Sequence, residues 1–342
     1  MRILTEQQSL QQIDSEQVFA AWIDNRRRIL AHRYGMRWVR AGGREYLLRL
    51  TDARGNGRSL GPRSEKTQSI FDEFQSAKAR AGETGKRLRE RLDLQVRLNR
   101  ALRLGRAPAI VGEILREVDL VSPETFTVVG THALFGFEAM AGVHMTTELL
   151  ASGDVDLLTD GRRKLSILAS SLEPDGLIGL LRRVDKSFDL VADGAYRARN
   201  AGGFLVDFLT QPRDMRETTP IRAQAGDLVA AEVEGLQWLA NAPHVRVTAI
   251  AGDGVPFRMR VPDPRVFCLH KAWLSQRVDR EPVKKGRDIA QARMLADVIR
   301  ERLPHYPLDD AFFAAVPGPL RQAFGLIARA AAGIASPPGR GG

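Results

Sequence analysis

The sequence is poor in cysteine and has no long apolar run. Cys268 is the single cysteine among 342 residues, which excludes an intrachain disulfide and favours a reducing, cytoplasmic setting. It lies in an apolar stretch, so we expect a buried, inert thiol. No run reaches the roughly 18 apolar residues that a membrane span needs. Residues 1–7 lack the apolar core of a signal peptide. The composition therefore predicts a soluble globular protein that is not inserted in a membrane.

Positive charge is in excess. The chain has 51 lysines and arginines against 41 aspartates and glutamates, a formal net charge of +10. Such an excess favours a polyanionic partner, either RNA, DNA or a nucleoside triphosphate. The long basic helix predicted over 65–106 has either a solvated face or a nucleic-acid-binding face. The candidate contacts to nucleic acid are Arg58, Arg63, Arg87, Arg91, Lys284, Lys285 and Arg287.

Apolar spacing and turn signals divide the chain into several regions. Residues 1–120 read as a basic helical region with a β-hairpin at 36–50, and residues 54–64 as a glycine-rich loop. The helix over 65–106 has candidate breaks at Gly82 and Gly85. The remaining regions are a mixed α/β core at 121–212, a mostly helical subdomain at 213–335 and a disordered tail at 336–342. Further predicted helices cover 161–171, 177–183 and 228–239, and a predicted hairpin pairs 245–250 with 256–261.

Two aspartates stand side by side in an apolar strand. Residues i and i+2 of a strand point to the same side, so Asp154 and Asp156 emerge together. Adjacent like charges on a mostly apolar strand need positive charge to neutralise them. Mg²⁺ or Mn²⁺ is the simplest source, and Asp207 on a second apolar strand offers a third carboxylate. This pattern predicts a metal site suited to phosphoryl or nucleotidyl transfer.

A strand over 126–129 feeds a tight turn, Gly130-Thr131, and then a helix over 132–141. Free backbone N–H groups and the helix dipole make this turn a candidate phosphate site, to which Thr131 adds a hydroxyl.

Two charged residues fall on apolar helix stripes near the C-terminus. Lys271 follows Phe267 by four residues, and Asp288 precedes Ala292 by four. Lysine is rarely buried without a partner. Lys271 and Asp288 therefore either pair with each other or face the metal and triphosphate site.

These motifs resemble the nucleotidyltransferase fold typified by DNA polymerase beta. The resemblance implies that Gly130 and Thr131 hold a triphosphate, that Asp154 and Asp156 ligate metal, and that Asp207 completes the carboxylate set. The wider chain resembles an uncharacterised bacterial family of this fold. Lys271 and Asp288 are similar to the helix lysine and later aspartate of abortive-infection toxins in the same superfamily. The stretches that carry the wider likeness are 59–64, 129–135, 154–158, 263–271 and 287–292.

We therefore predict an α+β protein with a nucleotidyltransferase-like mixed sheet and helical N- and C-terminal subdomains. The predicted activity is metal-dependent transfer of a nucleotide from a nucleoside triphosphate to a hydroxyl, with release of pyrophosphate and RNA as the favoured acceptor. Lys271 and Asp288 join the three aspartates as candidate catalytic residues, and Lys271 also as a triphosphate contact. The alternative is a catalytically silent nucleotide- or nucleic-acid-binding protein, including a toxin–antitoxin component with an antitoxin or a second copy as partner. In a third interpretation the basic N-terminal half anchors nucleic acid for the core.

Overall fold

The computed structural model describes residues 1–160, 176–213, 221–222 and 225–331. The chain forms two compact units. We call residues 11–102 the basic unit, and residues 1–10 together with 103–342 the main unit. The domain boundaries expected after 120 and 212 stay predictions. The predicted helix at 161–171 and the tail at 336–342 lie outside the described residues.

The basic unit combines two helices with a three-stranded antiparallel sheet. Strands β2 and β3 form the predicted hairpin. Strand β4, which pairs with β3, covers much of the stretch expected to be a loop. That expectation was wrong because ladder pairing with β3 overrides the glycine content of the stretch. The elements are α1 (Glu6–Ala31), β2 (Met36–Ala41), β3 (Arg44–Leu50), β4 (Gly57–Pro62) and α2 (Glu65–Ala101).

Helix α2 begins at a capping box and is continuous. Ser64 accepts a hydrogen bond from the Thr67 backbone N–H, and the Thr67 side chain accepts one from the Ser64 backbone N–H. The breaks suggested at Gly82 and Gly85 are absent from the helix. A Cβ at Gly85 would lie 3.0 Å from Asn25 Nδ2, so this glycine lets α1 approach α2 closely.

The main unit is built around a mixed sheet, as expected for an α+β fold. Its strand order is β5-β7-β10-β9-β8, and β11 pairs with β10. Strands β7 and β10 are parallel, whereas β5 runs antiparallel to β7 and β9 antiparallel to β10. The strands are β5 (Phe126–Val129), β7 (Asp154–Thr159), β8 (Asp189–Leu190), β9 (Arg197–Arg199), β10 (Leu205–Thr210) and β11 (Ala231–Glu232).

Smaller sheets and several helices surround this sheet. Strand β1 (Arg2–Ile3) pairs with β6 (Val143–His144), and β12 (His244–Ile250) pairs with β13 (Pro256–Pro262) as predicted. A 3₁₀ turn covers Thr147–Leu149. The helices are α3 (Ala109–Val121), α4 (Ala133–Ala141), α5 (Gly176–Val184), α6 (Leu236–Asn241), α7 (Pro264–Leu274), α8 (Pro282–Arg302), α9 (Asp310–Ala315) and α10 (Gly318–Ala331).

The prediction of a helix over 228–239 was wrong. Residues 231–232 form β11 on the edge of the sheet, and α6 begins only at Leu236. Pairing of Leu209 with Ala231 and of Thr210 with Glu232 outweighs the helical spacing of the segment.

One apolar core joins the sheet to its helices. Val128, Leu157 and Phe208 contribute fully buried side chains from three neighbouring strands. Phe137 of α4 meets Phe267 of α7 edge to face, with ring centroids 5.1 Å apart. This packing fixes the sheet and helices that carry the predicted site. Of the helices in the described ranges, none is both long and apolar enough to cross a membrane.

Candidate active site

Three aspartates meet near the amino ends of β7 and β10, two adjacent interior strands of the mixed sheet. Asp154 and Asp156 are the first and third residues of β7, and Asp207 is the third residue of β10. Asp207 lies beside Asp156 in the parallel register, so their side chains share a face. Carboxylate oxygens of the three residues lie within 4.8 Å of one another. Asp207 is buried and the other two are half-buried, so the cluster can hold a metal ion.

Gly130 closes this cluster from the neighbouring strand. It follows β5, whose last residue, Val129, pairs with Asp156. Its φ of +67° is a left-handed conformation that favours glycine. A Cβ at this position would lie 1.8 Å from Asp156 Oδ2. The turn therefore accepts only glycine while Asp156 keeps its place.

Burial and like charge act together on Asp156. Burial, followed by the charges of Asp154 and Asp207, raises the pKa of Asp156 to about 7. Lys271 and Arg197 oppose this shift but do not cancel it. The cluster thus carries more negative charge than its fixed cations balance.

Arg197 is a member of this site that the sequence analysis missed. It begins β9, directly opposite Asp207 in the antiparallel register. Its Nε and Nη2 donate to the two oxygens of Asp207, each at 2.6 Å. These bonds and the Asp207 charge raise the pKa of Arg197. A three-residue strand has too little periodicity to predict, so the sequence offered no signal for this pair.

Lys271 and Asp288 form an ion pair between α7 and α8. Lys271 Nζ lies 2.9 Å from Asp288 Oδ1, and Arg280 Nε donates to the other oxygen at 2.8 Å. Burial lowers the pKa of Lys271. Burial alone would raise the pKa of Asp288, but Lys271 and Arg280 outweigh it and hold that pKa below its ordinary value. Lys271 also acts electrostatically on Asp156, so the pair adjoins the carboxylates.

Polar neighbours hold the turn and the first aspartate. Gln291 of α8 donates to the Leu149 carbonyl at 2.6 Å and to Thr131 Oγ1 at 3.4 Å. Ser152 donates to Asp154 Oδ1. Neither Gln291 nor Ser152 was singled out as a site residue, because a lone polar residue gives no spacing signal.

His132 lies at the start of α4 and is fully buried. Burial lowers its pKa to about 4, so it is neutral at physiological pH. Its ring contacts Phe135 and Phe204. These contacts favour a structural role.

The candidate nucleic-acid contacts lie in two places. Arg58, Arg63, Arg87 and Arg91 are exposed residues of the basic unit. Arg63 pairs with Glu45 at 2.6 Å. Lys284, Lys285 and Arg287 are half-buried on α8. Arg287 Nη1 donates to the Ala151 carbonyl, and Lys284 pairs with Glu281.

Comparison with known proteins agrees with this geometry. A family model described as a nucleotidyltransferase matches residues 109–317, more than half of the chain. The chain therefore belongs to this nucleotidyltransferase family and is an enzyme that transfers a nucleotidyl group from a nucleoside triphosphate. Among curated proteins and solved structures there is no match.

Proposed function

We propose that the enzyme uses divalent metal to transfer a nucleotide from a nucleoside triphosphate to a hydroxyl group, with RNA as the favoured acceptor. The single observation that carries this proposal is the cluster of Asp154, Asp156 and Asp207. Its residues come from the matched family segment, 109–317.

The donor set fits a divalent cation. Carboxylate oxygens are the ligands that Mg²⁺ and Mn²⁺ prefer. Besides burial, which is the main cause, the charges of Asp154 and Asp207 raise the pKa of Asp156 more than Lys271 and Arg197 lower it. An added cation would remove that imbalance.

Gly130 and Thr131 would hold the triphosphate. They precede the N-terminus of α4, where the helix dipole favours anions. Because Gly130 has no side chain, Asp156 can lie against the turn that binds the phosphates. Gln291 contacts the Thr131 hydroxyl and orients it.

In the reaction, the acceptor hydroxyl oxygen bonds to the α-phosphorus as the bond to pyrophosphate breaks, and the hydroxyl proton is released to water. When bound, Mg²⁺ would neutralise the carboxylates and phosphates and would lower the pKa of the acceptor hydroxyl. Lys271, held by Asp288, would supply fixed positive charge toward the β and γ phosphates. Arg197 would orient the Asp207 carboxylate through its two hydrogen bonds.

The test compares Asp207→Asn with a matched control, Asp193→Asn. Asp193 is an exposed carboxylate of the main unit. Each protein is incubated with labelled nucleoside triphosphates, total RNA and either Mg²⁺, Mn²⁺ or EDTA. We expect D207N to lose transfer while triphosphate binding largely remains, and D193N to behave as wild type. Unchanged incorporation in D207N, or full activity of the wild type in EDTA, would refute the proposal. Nucleotide binding without transfer by the wild type would favour the silent binding protein instead.

A further inference from the structure

The basic unit holds nearly all of the net charge of the chain. Residues 11–102 contain 20 lysines and arginines but only 11 aspartates and glutamates, a formal charge of +9 out of +10. Even if every carboxylate of the unit pairs with one cation, nine cations are left over. A neutral or cationic partner would gain nothing from such a surface.

Part of this excess positive charge lines a cavity in the basic unit. The cavity has a volume of about 550 Å³ and is lined by Arg33, Arg37 and Arg54 together with Tyr34. None of these three arginines has an ion pair to a carboxylate in the part of the chain that the structure describes. The Arg33 guanidinium lies over the Tyr34 ring, 5.2 Å from its centroid.

The one carboxylate in the cavity wall, that of Asp52, is hydrogen-bonded within its own turn. Asp52 accepts the Asn56 backbone N–H at 3.0 Å and the Asn56 side-chain amide at 2.7 Å. These contacts lower its pKa, with the Asn56 side chain as the main cause. Arg37 Nη2 donates to the Gly55 carbonyl at 3.4 Å. The Asp52 carboxylate therefore stabilises the 51–56 turn and does not pair with the arginines. Their guanidinium groups can bind an anion from outside the protein.

We propose that this cavity binds a backbone phosphate of single-stranded nucleic acid. Guanidinium groups match phosphate oxygens in geometry as well as charge. The Arg33 guanidinium over the Tyr34 ring is the kind of cationic and aromatic pair that lines other single-strand sites. A concave cavity suits a strand whose bases are splayed out better than the regular backbone of a duplex.

The spread of charge favours a polymer over a mononucleotide. Arg40 and Arg44 are exposed at the tip of the β2–β3 hairpin, and Arg87 and Arg91 are exposed on α2. A single nucleotide would fill the cavity and leave these cations unused, whereas a strand is long enough to reach cations outside the cavity. That the strand is also the acceptor rests on the proposed function; the binding does not.

The experiment measures binding of labelled 12-mers to the full chain in EDTA, so that metal-dependent binding at the carboxylates does not contribute. The cavity variant is R33Q/R54Q, which keeps the Arg37 contact to the turn. The control variant is K86Q/R89Q, which removes the same charge from α2, where both residues already pair with carboxylates. Anisotropy is followed over a salt series with oligo-U, oligo-dT and a duplex of equal length, and thermal melts check that both variants fold.

We expect R33Q/R54Q to weaken binding of oligo-U by about tenfold or more. The slope of log affinity against log salt should fall by about 0.7, because the variant loses the one single-strand phosphate contact that the cavity makes. K86Q/R89Q should change affinity by less than about threefold. Equal loss in both variants, no loss in either, or tight binding of the duplex alone would overturn the proposal.

Two further arms separate the sources of the phosphate. Oligo-U that binds better than oligo-dT would support RNA as the ligand, and equal binding would support either strand as a ligand through its phosphates. Binding of a labelled nucleoside triphosphate that is lost in R33Q/R54Q, with no binding of any oligonucleotide, would overturn the proposal in favour of a small-anion site. The D207N variant should bind the 12-mer as wild type does. Failure of the transfer test and failure of this binding test are therefore distinguishable.

Discussion

The two units differ in their charge balance and in the burial of their ion pairs. The main unit has 31 basic and 30 acidic residues, whereas the basic unit has 20 and 11. Two buried carboxylates of the main unit have specific cationic partners, in the pairs Asp207–Arg197 and Asp288–Lys271. Ion pairs of the basic unit are exposed, as in Arg89–Asp93.

The effect of a charged residue in the main unit depends on its exact position, whereas in the basic unit it depends on the total charge. In the main unit, strand register and helix packing place individual charges, so one substitution should have a large effect. In the basic unit the useful quantity is the excess itself, so most single substitutions should have little effect on stability. Substitutions in the two units test this contrast.

The largest effect is expected at Gly130. Gly130→Ala adds a Cβ 1.8 Å from Asp156 Oδ2 at a φ of +67°. The turn or the carboxylate must move, so nucleotide transfer should fall at least about a hundredfold. Initial rates at saturating triphosphate measure this loss.

Gly142→Ala is the matched control for that variant. Gly142 has a similar φ of +63°, but no atom lies within 4 Å of an added Cβ. G142A should carry only the conformational cost, about 1–2 kcal/mol of unfolding free energy, and should keep its transfer rate. Equal loss of activity in G130A and G142A would contradict the steric account.

The next largest effect, a loss of stability, is expected at the buried ion pair Lys271–Asp288. Lys271→Met leaves Asp288 buried with only Arg280 as a partner. Breaking such a pair costs about 3–5 kcal/mol, and denaturant unfolding measures it. The double variant K271M/D288L should recover part of the loss, because the buried carboxylate is removed with Lys271 and the half-buried Arg280 can be solvated. If the double variant is less stable than K271M, the pair is not the source of the cost.

The pH dependence of stability tests the charge balance at the carboxylates. The folded state raises the pKa of Asp156 from 3.8 to about 7, so between these values it holds a proton that the unfolded chain has lost. Without metal, the contribution of Asp156 to stability is present at low pH and is lost as pH rises toward 7. Asp156→Asn removes this contribution, so its stability relative to wild type should increase from pH 4 to pH 7. Melts in EDTA across that range check the sign, and a constant difference would contradict it.

The smallest effect is expected in the basic unit. Arg89→Gln breaks an exposed i,i+4 pair with Asp93 and should change the free energy of unfolding by less than about 0.5 kcal/mol. Denaturant unfolding beside K271M gives the comparison directly. A loss similar to that of K271M would remove the contrast between the units.

Sequence reasoning located the carboxylates because strand geometry is short-ranged and regular. The i, i+2 spacing placed Asp154 and Asp156 on one face without knowledge of the sheet. Helical spacing likewise placed Lys271 and Asp288 inward, and both are buried. Cys268 is buried, as predicted, and its Sγ lies 3.1 Å from the Ala292 carbonyl.

The remaining site features depend on pairing between distant segments. Arg197 is defined by its register opposite Asp207, and Gln291 reaches Thr131 across 160 positions. Strand β4 and the edge strand β11 were missed for the same reason, because partner strands rather than local pattern stabilise them. The arginine cavity is likewise formed by the end of α1 and a turn about twenty residues later.

The most direct test of the central claim locates the metal itself. Crystals of the protein with Mn²⁺ and a non-hydrolysable nucleoside triphosphate would be examined by anomalous diffraction at the manganese edge. We predict manganese density among the carboxylates of Asp154, Asp156 and Asp207, with the triphosphate against Gly130 and Thr131. Triphosphate bound elsewhere, or bound at the turn with no metal at the three aspartates, would contradict the account.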